Sequence, residues 1–263
     1  MTPSSRHATL EQILPWLDDL LQTEATPDYA GALNGLQLSH AGPVHRVAAA
    51  VDASLRAVEQ AIDVGANFLV VHHGLFWAGA QPIRGPLHRK LRLLFEHDIA
   101  VYSSHLPLDR HDTLGNNVLL ARALQLTPAG HWLPYKGVPI GIVAAGDLST
   151  RELALRVREF AARHDHHAVI TAHDAERRSR TIACCSGGGA TTDSIREALA
   201  LGADTLIVGE GPHHTAIDAA EADLVVMYAG HYATETLGVQ ALAAAIETRW
   251  GLPWSFLPAP TGL

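Results

Sequence analysis

From Arg46 onward, short apolar runs rich in β-branched residues alternate with stretches whose apolar residues recur every three or four positions. This alternation of strand-like and helix-like periods limits the fold to helices packed on mostly parallel or mixed sheets. Strand-like runs lie near 47–51, 68–71, 99–102, 137–145, 167–171, 181–185, 204–209 and 224–228. The runs at 167–171 and 181–185 are expected to pair antiparallel across the charged stretch 174–180. A first amphipathic helix is expected over 10–21, capped by Thr9, with Pro15 inside it. Residues 127–139 break the rhythm with Pro128, Gly130, Pro134, Gly137 and Pro139. The expected architecture is therefore two α/β domains with mixed sheets, 1–126 and 127–263. The C-terminal part, about 204–250, is expected to return to a site begun in the first domain.

Composition narrows the function classes. At 263 residues and 48% hydrophobic, the chain has ample length for a real core, and no apolar run is long enough to span a membrane. The first residues lack the basic start and apolar segment of a signal peptide, which makes a cytoplasmic location the expectation. Cys184 and Cys185 are adjacent in an apolar run, which points to packing in a reducing compartment. A formal charge of −8 argues against nucleic acid as a partner, because phosphate neutralisation dominates that binding. An anionic substrate would have to be held locally, by a metal or by backbone amides. Histidine is the anomaly, 17 residues against 19 lysines and arginines, so many histidines must simply be surface residues.

Ligands of open α/β sheets bind outside the carboxyl ends of the strands. Those ends carry Asp52, His72, His73, His105, Asp109, Glu210, His213, His214, His231 and Glu235. The run 70–77, VVHHGLFW, puts two histidines and a glycine at the end of a buried strand. Neighbouring strand residues point to opposite faces, so both histidines serve one site only if the strand has begun to turn there. The bland alternative is one packed histidine and one surface histidine. His231 and Glu235 are spaced i, i+4, so a helix beginning after Gly230 puts both on one face. Imidazoles and carboxylates without thiolates suit zinc, iron, manganese or nickel and do not choose among them. His72, His73, Asp109, His231 and Glu235 are too many donors for one tetrahedral ion with an open position. They suit two divalent ions about 3.5–4 Å apart. The segment Gly187-Gly188-Gly189 before a helix reads equally as an anion cradle or as a tight strand-to-helix turn.

ALNGLQLS, VVHHGLFW, SSHLPLD followed by GNN, CSGGGA, DTLIVGE with its following HH, and AGHYATE occur in an order that resembles the Nif-three-like proteins, the type-two GTP cyclohydrolase I homologues. The resemblance covers almost the whole chain. It implies two α/β domains with a dinuclear metal site between them and a ring-shaped homohexamer. Carried over by motif, it implies metal ligands at His72, His73, Asp109, His231 and Glu235. It makes His105 a supporting or proton-transfer residue and matches Glu210 to the family's acidic residue after a strand. Leu106-Pro107 and the sequence IVGEGPHH depart from the commoner forms and leave the metal ligands intact. The function expected from the resemblance is a metal-dependent hydrolase acting on a purine nucleotide such as GTP, with an activated water attacking C8 of the guanine and His105 or Glu210 moving protons. A two-metal phosphoesterase and a non-catalytic metal-handling or partner-binding protein are the rival readings.

Overall fold

A computed structural model describes residues 7–171 and 174–263. The chain divides into two compact units, Met1–Leu108 with Gly238–Ala259 and Asp109–Leu237 with Pro260–Leu263.

In the first unit, β1 (Ala8–Thr9) leads into α1 (Leu10–Leu21), which buries Leu10, Ile13, Leu17 and Leu21 with Pro15 inside it. β2 (Gly35–Leu38) comes from the ALNGLQLS segment, and β3 (Pro43–Val44) pairs antiparallel with β1. Then β4 (Val47–Asp52), α2 (Leu55–Asp63), β5 (Phe68–His73), α3 (Gly85–Glu96) and β6 (Ala100–Ser103) follow the expected alternation. Ser54 caps α2 by accepting from the Ala57 amide at 3.1 Å. β4, β5 and β6 are parallel neighbours, β2 closes one edge antiparallel to β6, and Trp254–Phe256 closes the other parallel to β4. The register sets Asp52 beside His73 and Val71 beside Ser103, which brings the strand ends level. Ala48, Ala50, Leu69, Val71 and Val101 pack on Ala57, Val58 and Ala61 of α2. α4 (Leu106–Asp109) follows β6, and the boundary between units falls within it.

The second unit runs through α5 (Asn116–Ala123), β7 (Thr127–Tyr135), β8 (Val138–Ser149), α6 (Thr150–Ala162), β9 (Val169–Ile170) and β10 (Arg178–Cys185). It continues with α7 (Thr192–Ala200), β11 (Thr205–Val208), α8 (His213–Glu221), β12 (Val225–Tyr228) and α9 (His231–Trp250). Its sheet has the order β7-β8-β10-β11-β12-β9, with β10, β11 and β12 parallel and the other pairs antiparallel. Cys184 and Cys185 are buried in it as free thiols, and burial pushes the Cys184 thiol up to about 12.

Three expectations need correction. Residues 127–139 do not mark a domain boundary: they form β7 and the turn into β8, with Leu133, Lys136 and Gly137 at positive φ. Proline is tolerated at Pro128 and Pro134 because β7 is an edge strand. The division therefore falls at 108/109, not 126/127, and the part of the C-terminal region that joins the first unit is Gly238–Ala259, while His231 and Glu235 stay in the second. Finally, β9 and β10 are not partners. β9 pairs with β12, and β10 lies between β8 and β11.

Candidate metal centre

His72 is fully buried, and its Nδ1 lies 2.9 Å from the Ser104 carbonyl oxygen. A carbonyl only accepts, so Nδ1 carries the proton and Nε2 has the lone pair, the form in which an imidazole ligates metal. The Ser103 hydroxyl donates to the His72 carbonyl at 3.1 Å and ties the ends of β5 and β6 together. His73 closes β5; its Nδ1 is 2.9 Å from Asp52 Oδ1, the register neighbour on β4. The two rings lie 4.8 Å apart, centroid to centroid, so both serve one locality as the turn at the strand end requires. His105 follows β6 and repeats the arrangement. Its Nδ1 is 2.9 Å from Asp28 Oδ1, and its amide donates to Asn34 Oδ1 at 2.7 Å. One ring nitrogen from each of His72, His73 and His105 lies within 4.8 Å of the others, a group that could hold a metal ion.

Asp28 is the hub of this half. Its two oxygens also accept from the amides of Tyr29 and Leu106 and from the Asn34 side chain, at 2.7–2.9 Å. Burial would raise its pKa, but these bonds, His105 foremost, hold the carboxyl below its usual range.

In the second unit, Asp109 is 6% exposed and its Oδ1 accepts from the Asn116 side chain at 2.8 Å and the Ser186 hydroxyl at 3.0 Å. Asn117 accepts from the Ser186 amide at 2.6 Å and donates to the Ile140 carbonyl at 2.7 Å, so the two asparagines after Gly115 fasten the Asp109 surroundings. His231 and Glu235 fall on the first turns of α9. The Nδ1 of His231 meets Glu210 Oε1 at 2.8 Å and its Nε2 meets Glu235 Oε1 at 3.2 Å. Burial opposes protonation of His231, but Glu235 and then Glu210 outweigh it and raise its pKa to about 9. A cation engaging Nε2 and Oε1 would have to displace that proton.

The GGG turn serves this pair. Gly187 has φ +61°, and a Cβ there would run into Glu235 Oε1 and come within 3.3 Å of His231 Nε2. Its amide is engaged by Thr234 Oγ1 at 2.9 Å, and the N-cap of α7 is filled by Thr191, which accepts from the Ser194 amide at 3.0 Å. The segment makes a tight turn at Gly187. His213 and His214 are exposed on the first turn of α8 and belong to no three-donor group among the described residues.

Thus His72, His73 and His105 come together in the first unit and His231, Glu235 and Glu210 in the second, while Asp109 has its own partners in the second. His105 presents a donor nitrogen as His72 and His73 do, and Glu210 stands behind His231. Sequence reasoning missed Asp28, Asn34 and Gln37. Asn34 and Gln37 lie in the ALNGLQLS stretch, which carried a signal, whereas Asp28 lies before it and had none. The donor set contains imidazoles and carboxylates, and each of the four imidazoles is oriented through Nδ1 by an oxygen. That is the usual support of a metal-binding histidine, so the residues fit divalent metal.

Residues 8–261 match the family profile described as Duf34/NIF3 (NGG1p interacting factor 3). A Deinococcus radiodurans protein named GTP cyclohydrolase 1 type 2 homolog is 41% identical over 259 residues, covering 96% of this chain and 94% of its own length. A protein of the same name from Archaeoglobus fulgidus is 36% identical over 254 residues, covering 97% and 99%. Among solved structures, protein ybgI, described as of unknown function, superposes with a TM-score of 0.87 at 31% identity, covering 97% of this chain and all of that one. TTHA1606 from Thermus thermophilus superposes at 0.82 with 35% identity and the same coverage.

Proposed function

Because this chain belongs to the DUF34/NIF3 family, we propose that it is a divalent-metal-dependent hydrolase of the cyclohydrolase type, acting on a purine nucleotide such as GTP. The observation that supports this most is the common orientation of the histidines, each with Nδ1 anchored on an oxygen acceptor. In this reading His72, His73, Asp109, His231 and Glu235 hold two ions, with zinc, iron, manganese and nickel all suited to the donors. When bound, such ions supply a Lewis acid that activates water and stabilises a leaving nitrogen or oxygen. Asp52 and the Ser104 carbonyl keep the imidazoles of His73 and His72 in the ligating tautomer. His105 is the residue suited to moving a proton, since its Nδ1 is held 2.9 Å from Asp28 Oδ1, which leaves its Nε2 for the transfer. Glu210 orients His231 and favours its positive charge. Assembly as a homohexamer is part of the same reading.

The test is to incubate metal-loaded protein with GTP and follow nucleotide, formate and phosphate with and without chelator. The reading expects formate release, abolished by chelator and restored by added divalent metal. Intact GTP would overturn the cyclohydrolase assignment. Phosphate release without formate would favour the phosphoesterase.

A further inference from the structure

Two aromatic side chains stand against the histidine donors of the first unit. Trp77 is 38% exposed and Tyr29 is 51% exposed, although both are large and largely apolar. The Trp77 ring is 4.8 Å from the His105 ring and 5.4 Å from the His73 ring, at interplanar angles of 81° and 82°. Tyr29 lies 6.0 Å from His105 and 6.5 Å from Trp77.

These residues belong to two loops that are stitched together. Gln37 accepts from the Leu75 amide at 2.6 Å, two residues before Trp77. Its amide group donates to the Ala32 and Leu33 carbonyls, three and four residues after Tyr29, at 3.0 and 2.9 Å. Gly74 has no room for a side chain against the Gln37 head group, and a Cβ at Gly31 would lie 3.0 Å from the Trp77 carbonyl oxygen. Asp28 bonds both the Tyr29 amide and His105, so Tyr29 is tied to a donor as well. A half-buried network that holds two exposed aromatic rings beside an imidazole cluster spends its hydrogen bonds on a surface, which is how preorganised ligand sites are built.

We propose that Trp77 and Tyr29 form a stacking wall for a planar heteroaromatic ring, the base of a nucleotide, next to the His72–His73–His105 donors. Gln37 is its positioning residue. Indole and phenol faces bind bases of any sequence through their π surfaces, and each such stack accounts for a five- to hundredfold change in affinity, roughly. The proposal rests on reading the histidine set as the reaction centre, and it names the part of the substrate that centre receives.

The experiment measures binding of the four ribonucleoside triphosphates and of inorganic tripolyphosphate to metal-loaded protein, by calorimetry and tryptophan fluorescence. Wild type, Trp77→Leu, Trp77→Phe and Tyr29→Leu are compared at verified metal content and unchanged melting temperature. The expected result is base-dependent quenching in wild type and at least about tenfold weaker nucleotide binding in Trp77→Leu. Trp77→Phe should recover most of the affinity, and tripolyphosphate binding should be the same in all four proteins. Equal nucleotide affinity in wild type, Trp77→Leu and Tyr29→Leu would overturn the proposal, as would wild type that binds no triphosphate better than tripolyphosphate. Base-dependent binding without turnover would uphold the wall and remove only the cyclohydrolase reading.

Discussion

At the residue scale, metal binding turns on how each histidine is held. Asp52→Asn and Asp28→Asn should weaken divalent metal binding, by about 10- to 100-fold where the affected imidazole is a ligand, because the orienting carboxylate is lost while the ring remains. Metal titration of chelator-stripped protein measures this, and unchanged affinity in both would detach these carboxylates from the centre. His231 gives a pH prediction with a definite sign. Its pKa in the metal-free fold is raised to about 9 from the ordinary 6.5. Its pairing with Glu235 and Glu210 therefore contributes stability that is fully present below 6.5, declines as pH rises through about 9, and is absent above. At 1.36 kcal/mol per pH unit, the contribution is on the order of 3 kcal/mol. Urea unfolding of metal-stripped protein between pH 6 and 10 should follow that decline, and His231→Asn should flatten it. Metal affinity should move the other way and weaken as pH falls below about 9, since the ion competes with the proton. The donors themselves were legible in the sequence because they sit where apolar runs end. Their supports were not: Asp28 lies 77 positions from His105, in a loop with no period to mark it.

At the scale of elements, strand ends and helix starts place the donors. β5 and β6 deliver His72, His73 and His105, and the first turn and a half of α9 delivers His231 and Glu235 one above the other. The element most sensitive to a single atom is the turn after β10. Gly187→Ala adds a Cβ at positive φ and directs it at Glu235. It should destabilise the protein by about 1–3 kcal/mol and displace the Glu235 carboxylate. Chemical denaturation read together with metal content checks this. A variant with wild-type stability and full metal would show that the turn is not needed for the pair. The order of strands and helices was readable from periodicity. The β7–β8 hairpin was not, because its prolines and glycines serve an edge strand and a turn yet look like a domain boundary. The partner of β9 was hidden for another reason: two-residue pairing with β12 leaves no local trace.

At the scale of the whole molecule, no described helix is long and apolar enough to cross a membrane. Neither unit is a continuous stretch of chain: the backbone passes from one to the other within α4, again within α9, and once more between Ala259 and Pro260. This is why the division escaped the sequence, since α9 is helical on both sides of it. Truncation after residue 237 should remove Gly238–Ala259, including the strand that pairs with β4, and expose the β4 edge. The shortened chain should lose the cooperative unfolding of the full one by calorimetry; retention of that transition would contradict the division. His72 and Glu235 are both proposed as ligands of divalent metal. Elemental analysis of metal-reconstituted wild type, His72→Ala and Glu235→Ala tests this most directly. Two divalent ions per chain are expected in wild type, with a clear loss in each variant that keeps its fold; two ions still bound in either folded variant would contradict the ligand assignment.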